Sequence, residues 1–377
     1  MNMPDYLWTP IWCLQHLSSG LETVYEADAC PNNLFYGSGK RLAASASTML
    51  ANGMDGLWYW LTGVGGTESG DPVPNLESYE RCYPDLAAVG KEAQQGSAVG
   101  ISTITPAAAR LLARYGVPYK TTNGGVEMYA GEDAFDGKSD EEIRKILSGR
   151  VMLDGDAAKK LTERGFTAEI GAKAWGEKAF NVRGSVDFTG ELIKADNSRV
   201  GSSFHANYGL DSSVVRWLEP VGAGEEISFY FTGKDKRRVQ SAVTRTTNAL
   251  GGKVVVFAPA FTGSTANNLL NYRKRRLVIE LIEWLGGEEA MPVRTDRQVN
   301  VLVFANANEN RLFVHATQLS CQPAEALSFI VAPSWRGGSV EVLENGLWKP
   351  VGAVAADGRV TIKRPTTVFD VLAFKVK

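Results

Sequence analysis

The feature that most constrains this chain is a strand, a helix and a second strand within its first sixty or so residues. Leu21 to Asp28 alternates in polarity and runs into the polar loop Pro31-Asn32-Asn33, which predicts a strand. Ser38 suits a helix cap, Leu42, Ala46, Met49 and Leu50 recur on one face at helical spacing, and Asn52-Gly53 supplies a stop. Alanine and serine dominate this helix, so it can approach a sheet closely. Leu57-Trp58-Tyr59-Trp60-Leu61 is then an apolar, aromatic strand. A helix between two strands makes them parallel, and parallel strands are normally covered on both faces inside a larger sheet. Neither the residues before Leu21 nor the Gly/Pro-rich stretch Gly63 to Pro74, which reads as a loop, can supply that sheet. The segment is therefore expected to be the end of a fold whose beginning is absent.

Two further regions follow. Residues 97–290 have α/β character. Val99 to Ile104 reads as a strand, Thr105-Pro106 opens a helix through Ala113, and acids at 140–142 suit the first turn of another. Arg150 to Asp154 is a strand entering a helix from Asp156 to Arg164, and Phe180 to Phe231 carries alternating runs that predict an antiparallel insertion. Lys253 to Phe257 is almost continuously apolar, which places it centrally in a parallel sheet. On the helix from about Ala266 to Leu285, the run Arg273-Lys274-Arg275-Arg276 covers most of the circumference, so Arg273 or Lys274 borders the apolar stripe and needs to snorkel or pair with a carboxylate. From Met291 the pattern becomes short alternating strands at the spacing of a β-sandwich, with hairpin turns at Asn345-Gly346 and Asp357-Gly358. The expected domains are 1–96, 97–290 and 291–377.

Composition narrows the function. Forty Lys and Arg against 42 Asp and Glu leave a net charge of −2, which provides no field to hold a nucleic acid. No apolar run reaches the ~18 residues of a membrane span, and Met1-Asn2-Met3-Pro4-Asp5 lacks the regions of a signal peptide. A soluble, cytoplasmic protein is expected. Cys13, Cys30, Cys82 and Cys321, with His16, His205 and His315, show no metal-ligand spacing, so no metal or organic cofactor is expected. Gly37-Ser38-Gly39-Lys40 fails as a phosphate loop because Leu34 replaces the first glycine and Arg41 the Ser or Thr. A thiol nucleophile built from Cys82 or Cys30 with His205 has no supporting local motif.

Glu22, Glu26 and Asp28 share one face of the first strand, and the last two sit at its carboxyl end, where a β/α barrel carries its active site. Glycoside hydrolysis needs two carboxyl groups, ~5 to 5.5 Å apart in retaining enzymes. The same residues equally suit a structural role, paired with Lys40 or Arg41. Trp58 and Trp60, on one face of the second strand, suit either stacking on a sugar ring or core packing.

Tyr25-Glu26-Ala27-Asp28-Ala29-Cys30-Pro31, the small-residue helix, and Asn52-Gly53-Met54-Asp55-Gly56-Leu57-Trp58-Tyr59-Trp60 together resemble the seventh and eighth strands of clan-A glycoside hydrolases. The likeness is greatest to family 42 β-galactosidases and related bacterial glycosidases. It continues through Tyr272-Arg273-Lys274-Arg275-Arg276, Trp284-Leu285-Gly286-Gly287 and Met291-Pro292-Val293-Arg294. The resemblance implies the end of a TIM barrel, an amidotransferase-like α/β domain that serves oligomerisation and lacks the amidotransferase nucleophile, and a β-sandwich. It implies Glu26 as nucleophile, with Asp28, Asn32, Trp58 and Trp60 contacting the carbohydrate. The family's acid/base glutamate lies on the fourth strand, which has no counterpart here. The chain is therefore expected to be a truncated reading of a longer gene, or a split protein whose barrel is completed by a partner chain or a homo-oligomer. On either account it is expected to be inactive alone, the competing reading being a non-catalytic carbohydrate-binding or oligomerisation module.

Overall fold

A computed structural model describes residues 22–28, 39–60, 73–176, 190–194, 203–204, 215–232, 235–261, 272–297, 300–320 and 322–377. The chain divides into two compact units, one made of residues 1–100, 112–122 and 291–377, the other of residues 101–111 and 123–290. It is a mixed α/β structure with several sheets and no closed barrel among the described residues.

The first unit opens with strand β1 (Val24–Asp28), helix α1 (Gly39–Ala51) and strand β2 (Gly56–Trp60). The strands pair in parallel, Val24 beside Gly56 through Asp28 beside Trp60, as a helical crossover requires. At their amino ends Asp55 fastens the pair, accepting the Thr23 N–H at 2.8 Å and donating its own N–H to the Thr23 carbonyl at 2.9 Å. Val73 and Pro74, read as the end of a loop, instead begin helix α2 (Val73–Ala93), and the rest of that stretch lies outside the described residues. Proline is tolerated there because a first-turn N–H has no helical partner.

The second unit contains one large sheet. In chain order its main strands are β3 (Ile101–Ser102), β4 (Val126–Tyr129), β5 (Arg150–Leu153), β6 (Gly190–Ile193), β7 (Glu225–Thr232), β8 (Arg237–Thr247) and β9 (Lys253–Phe257). Across the sheet they run β6-β7-β8-β9-β5-β4-β3. Strands β3, β4, β5 and β9 are parallel, and β8, β7 and β6 antiparallel. Within the stretch from Phe180 to Phe231, the described strands β6 and β7 pair antiparallel, as expected. Strand β9 is central and fully buried from Val254 to Phe257, but it has a parallel neighbour on one side only. Apolar continuity reports burial on both faces, not the direction of the neighbours. Helices α4 (Asp140–Leu147) and α5 (Gly155–Glu163) cover one face, contributing Ile143, Leu147, Ala157, Ala158 and Leu161 to a core with Val151, Leu153, Val254 and Val256. Helix α3 (Pro106–Arg114) precedes them and α6 (Tyr272–Gly286) follows β9.

The remaining strands return to the first unit: β10 (Val293–Thr295), β11 (Val301–Asn308), β12 (Arg311–Gln318), β13 (Leu327–Val331), β14 (Ser339–Glu344), β15 (Leu347–Ala353), β16 (Arg359–Ile362) and β17 (Val371–Val376). They form two antiparallel sheets, β10-β13-β16 and β15-β14-β17-β12-β11, the second extended by Ser97–Ala98. Alternate residues such as Val303, Val314, Phe329 and Phe374 fill the core between them, with the last two rings 4.9 Å apart. Asn345-Gly346 turns the β14–β15 hairpin at φ of 52° and 76°. Asp357-Gly358 also closes a turn, but β15 and β16 on either side of it lie in different sheets. Strand β15 escapes a sequence reading because Pro350 and Gly352 interrupt its pattern. At a sheet edge, where an N–H is dispensable, a proline is tolerated.

Candidate functional site

The polar face of α1 explains how the parallel pair is held. Ser47 Oγ lies 2.9 Å from His315 Nε2, Thr48 Oγ1 2.9 Å from Thr317 Oγ1, and Asn306 Nδ2 donates to the Ala51 carbonyl at 3.0 Å. Residues 47, 48 and 51 fall on one stripe of a helix, and their partners stand on the outer face of β11 and β12. Those two strands are consequently buried on both faces. His315 is fully enclosed, and burial pulls its pKa down to about 3, so the imidazole is neutral. At the start of the helix, Lys40 pairs with Asp370 at 2.9 Å and donates to Thr367 Oγ1 at 2.6 Å. The salt-bridge partner of Lys40 is therefore Asp370 among the described residues.

On this support the sequence-predicted residues occupy defined backbone positions. Glu26 stands beside Trp58 at the middle of the two strands, and Asp28 beside Trp60 at their carboxyl ends, in the β1–β2 register. Asn32 lies outside the described residues, as do Cys30 and His205. Cys82 does not resemble an activated nucleophile: its thiol donates to the Tyr79 carbonyl at 3.2 Å, and burial pushes it up to about 11, away from the thiolate that nucleophilic attack needs.

The second unit carries a polar cluster that the sequence reading passed over. The carboxyl ends of parallel strands are where open α/β sheets bind ligands. There β5 enters α5 through Asp154-Gly155-Asp156. Asp154 is fully buried, and Oδ1 accepts the N–H groups of Ala157 at 2.8 Å and Gly131 at 3.1 Å, while Oδ2 accepts that of Phe261 at 2.9 Å. Burial raises its pKa to about 7 against the pull of these N–H groups. Gly155 is required because a Cβ there would stand 2.1 Å from the Ala258 carbonyl oxygen. Arg216 Nε binds Asp156 at 2.7 Å and its Nη2 binds Glu132 at 2.9 Å. No Ser or Cys stands at this turn, and both oxygens of Asp154 serve backbone, so the arrangement ties three strand ends together. An apolar strand followed by Asp-Gly-Asp was the available signal; nothing near Arg216 announces its role.

A hollow of about 750 Å³ lies beside β4 and α4 in this unit. Its two carboxylates are already engaged, Glu127 by the Gly124 N–H at 3.0 Å and the Tyr129 hydroxyl at 2.7 Å, and Glu142 by the N–H and hydroxyl of Ser139 at 2.7 and 2.8 Å. Among the described residues no group of His, Cys, Asp and Glu is arranged to hold a metal, and no helix is long and apolar enough to cross a membrane.

No protein-family model and no curated protein matches the chain. Solved structures do. An α-L-fucosidase, isoenzyme 2 from Paenibacillus thiaminolyticus, superposes with a TM-score of 0.67 at 12% identity, over 100% of this chain and 63% of that one. A β-galactosidase from Bacillus circulans sp. alkalophilus gives 0.64 at 11% identity, over 100% and 59%. A catalytic mutant of Gan42B, a family 42 β-galactosidase from G. stearothermophilus, gives 0.53 at 12%, over 91% and 51%. The chain thus spans about half to two-thirds of the length of the structures it matches. At these identities the likeness is one of fold, and the fold read from the sequence as resembling family 42 β-galactosidases is shared by solved glycoside hydrolases.

Proposed function

We propose that the chain is the carboxy-terminal part of a retaining glycoside hydrolase of the β-galactosidase type, in which Glu26 is the nucleophile. In this reading β1 and β2 are the last two strands of a TIM barrel, residues 97–290 an amidotransferase-like domain serving oligomerisation, and residues 291–377 a β-sandwich. The observation that carries it is the parallel β1–α1–β2 unit. Among the described residues neither strand has a second neighbour, and Val24 on β1 is 54% exposed. A parallel pair of that kind is completed by further strands.

The carboxyl end of the pair would present Glu26 and Asp28 with Trp58 and Trp60 to a sugar, Asn32 following in the loop. A retaining mechanism needs a second carboxyl group ~5 to 5.5 Å from the nucleophile. In this reading an upstream segment or a partner chain supplies it, and the described chain alone does not turn over. The reaction needs no metal or organic cofactor: Glu26 attacks the anomeric carbon as the leaving oxygen takes a proton from the upstream acid, and water then releases the sugar.

The test is to assay the chain on aryl β-galactosides alone and co-expressed with the coding region immediately upstream. Turnover only in the combination, lost in Glu26→Gln, supports the proposal. Turnover unchanged in Glu26→Gln overturns it, and sugar binding without turnover in the combination favours the module reading.

A further inference from the structure

We propose that a cleft within the first unit is a binding site for a single pyranose ring, separate from the role given to Glu26. The cleft has a volume of about 270 Å³ and lies between α1, α2 and the β14–β17 side of the larger sheet. This is below the ~300–1,000 Å³ of sites for drug-sized ligands, so its occupant is the size of one ring. Short side chains, Ala43, Ala44 and Ser47 from α1 and Ala373 from β17, make room for it. Leu86, Val89 and Leu343 add apolar wall, and Lys40 and Arg81 also line it. The small residues that let α1 approach the sheet at Ser47 and Thr48 leave a hollow nearer its amino end.

Three features of the lining point to a sugar. The first is Phe369. It occupies the third position of a turn closed by the Asp370 N–H on the Thr367 carbonyl at 3.0 Å, and its φ is +66°. Glycine is the usual residue in that conformation, and a bulky side chain there is an outlier held by its surroundings. The surroundings do hold it. The Phe369 N–H donates to the Gln318 carbonyl at 2.8 Å, and the Asp370 carboxylate accepts the N–H and hydroxyl of Thr367 while pairing with Lys40. Backbone strain is thus sustained at an aromatic residue that lines the cleft, and an aromatic face is the surface on which the C–H face of a pyranose rests.

The second feature is Arg364, which lines the cleft; its guanidinium makes no side-chain hydrogen bond among the described residues, although its charge, after that of Lys349, acts on the Glu344 carboxylate. Its guanidinium is a planar fork suited to a pair of vicinal oxygens. The third is Asp85. One of its oxygens accepts the Gly346 N–H at 2.6 Å, and the other has no hydrogen bond among the described residues, leaving an acceptor for a hydroxyl. A ring, a donor fork and an acceptor around an apolar floor match a ligand with one apolar face and a rim of hydroxyls. A phosphate or other small anion would use the fork but neither the ring nor the carboxylate.

The full chain is titrated with galactose, glucose, galacturonate, myo-inositol and inorganic phosphate, with calorimetry and saturation transfer to the ligand as readouts. A pyranose binding with a Kd of ~1 mM or tighter, weakened at least tenfold in both Arg364→Ala and Phe369→Gly, is the expected result. Arg364→Ala removes no bond among the described residues, and glycine adopts the Phe369 conformation without strain, so both variants should unfold cooperatively like the parent. Arg364→Lys, which keeps the charge and loses the fork, is the control if Arg364→Ala fails to fold. Loss of this affinity in Arg364→Ala and Phe369→Gly with the galactoside turnover of the co-expressed combination unchanged separates the cleft from the proposed catalytic role. Binding of phosphate without any sugar, or sugar affinity indifferent to Arg364 and Phe369, overturns the proposal.

Discussion

Two helices in this protein dock on their sheets with opposite chemistry. In the first unit α1 uses neutral groups, Ser47 with His315, Thr48 with Thr317, and the Ala51 carbonyl with Asn306. In the second, α6 uses charge. Lys274, 1% exposed, donates to both oxygens of the fully buried Glu191 at 2.8 and 3.0 Å, with the Ser228 hydroxyl on the same carboxylate at 2.5 Å and the Phe257 ring 5.4 Å from the ammonium. A neutral contact contributes a modest net stabilisation, and its loss exposes little charge. A buried ion pair contributes little net stability but makes each partner indispensable to the other.

The largest test of that contrast is Lys274→Ala, which strands Glu191 without a counter-charge. It should destabilise the protein by ~3–5 kcal/mol in urea unfolding, and Lys274→Met with Glu191→Leu should recover most of the loss. A single variant as mild as the double one would break the comparison.

The pH response should differ in sign between the units. His315 is neutral when folded, with its pKa lowered to about 3, whereas an unfolded histidine protonates near 6.5. The unfolded chain therefore binds more protons below pH 6.5, and the first unit should lose ~1.4 kcal/mol per pH unit from there toward pH 3. Asp154 behaves in the opposite way. Its pKa is raised to about 7, so the folded state binds more protons between about pH 4 and 7, and this site favours folding on acidification and loses that contribution as pH rises through 7. Amide exchange measured separately on β12 and β5 resolves the two. Replacing His315 by Gln should flatten the first response and leave the second in place.

Ser47→Ala removes the one side-chain hydrogen bond of the His315 ring among the described residues, since its Nδ1 has no partner there. A loss of ~1–3 kcal/mol is expected by thermal unfolding. Smallest should be Lys40→Ala. Its partner Asp370 is half-buried but Lys40 itself is exposed, so the change should stay within ~1 kcal/mol and shrink in high salt.

Much of this architecture was legible because it rests on local rules. The acidic first turn at 140–142, the Pro106 helix start and the Asn345-Gly346 hairpin each follow from residues a few positions apart. The burial of Lys274 was half legible: the helical circumference required a cation of the 273–276 run at the border of the stripe, but Glu191, more than eighty residues earlier, carries no mark of the pairing. The same limit hid the Asp154 tie, whose three N–H donors come from Gly131, Ala157 and Phe261. Pattern also misled where it measures only burial, as with the neighbours of β9, or where an edge tolerates irregular residues, as in β15.

From sequence alone came the parallel β1–α1–β2 unit, the α/β character of 97–290 and the antiparallel strands after Met291, because periodicity and turn chemistry act over a few residues and survive without knowledge of partners. The polar seat of α1 on β12, the hollow beside it that Phe369 and Arg364 line, and the seating of buried charges in the second unit were decided only by tertiary structure. Those depend on distances between residues tens to hundreds of positions apart, and a side chain's burial, partner and protonation are set by what the fold brings against it.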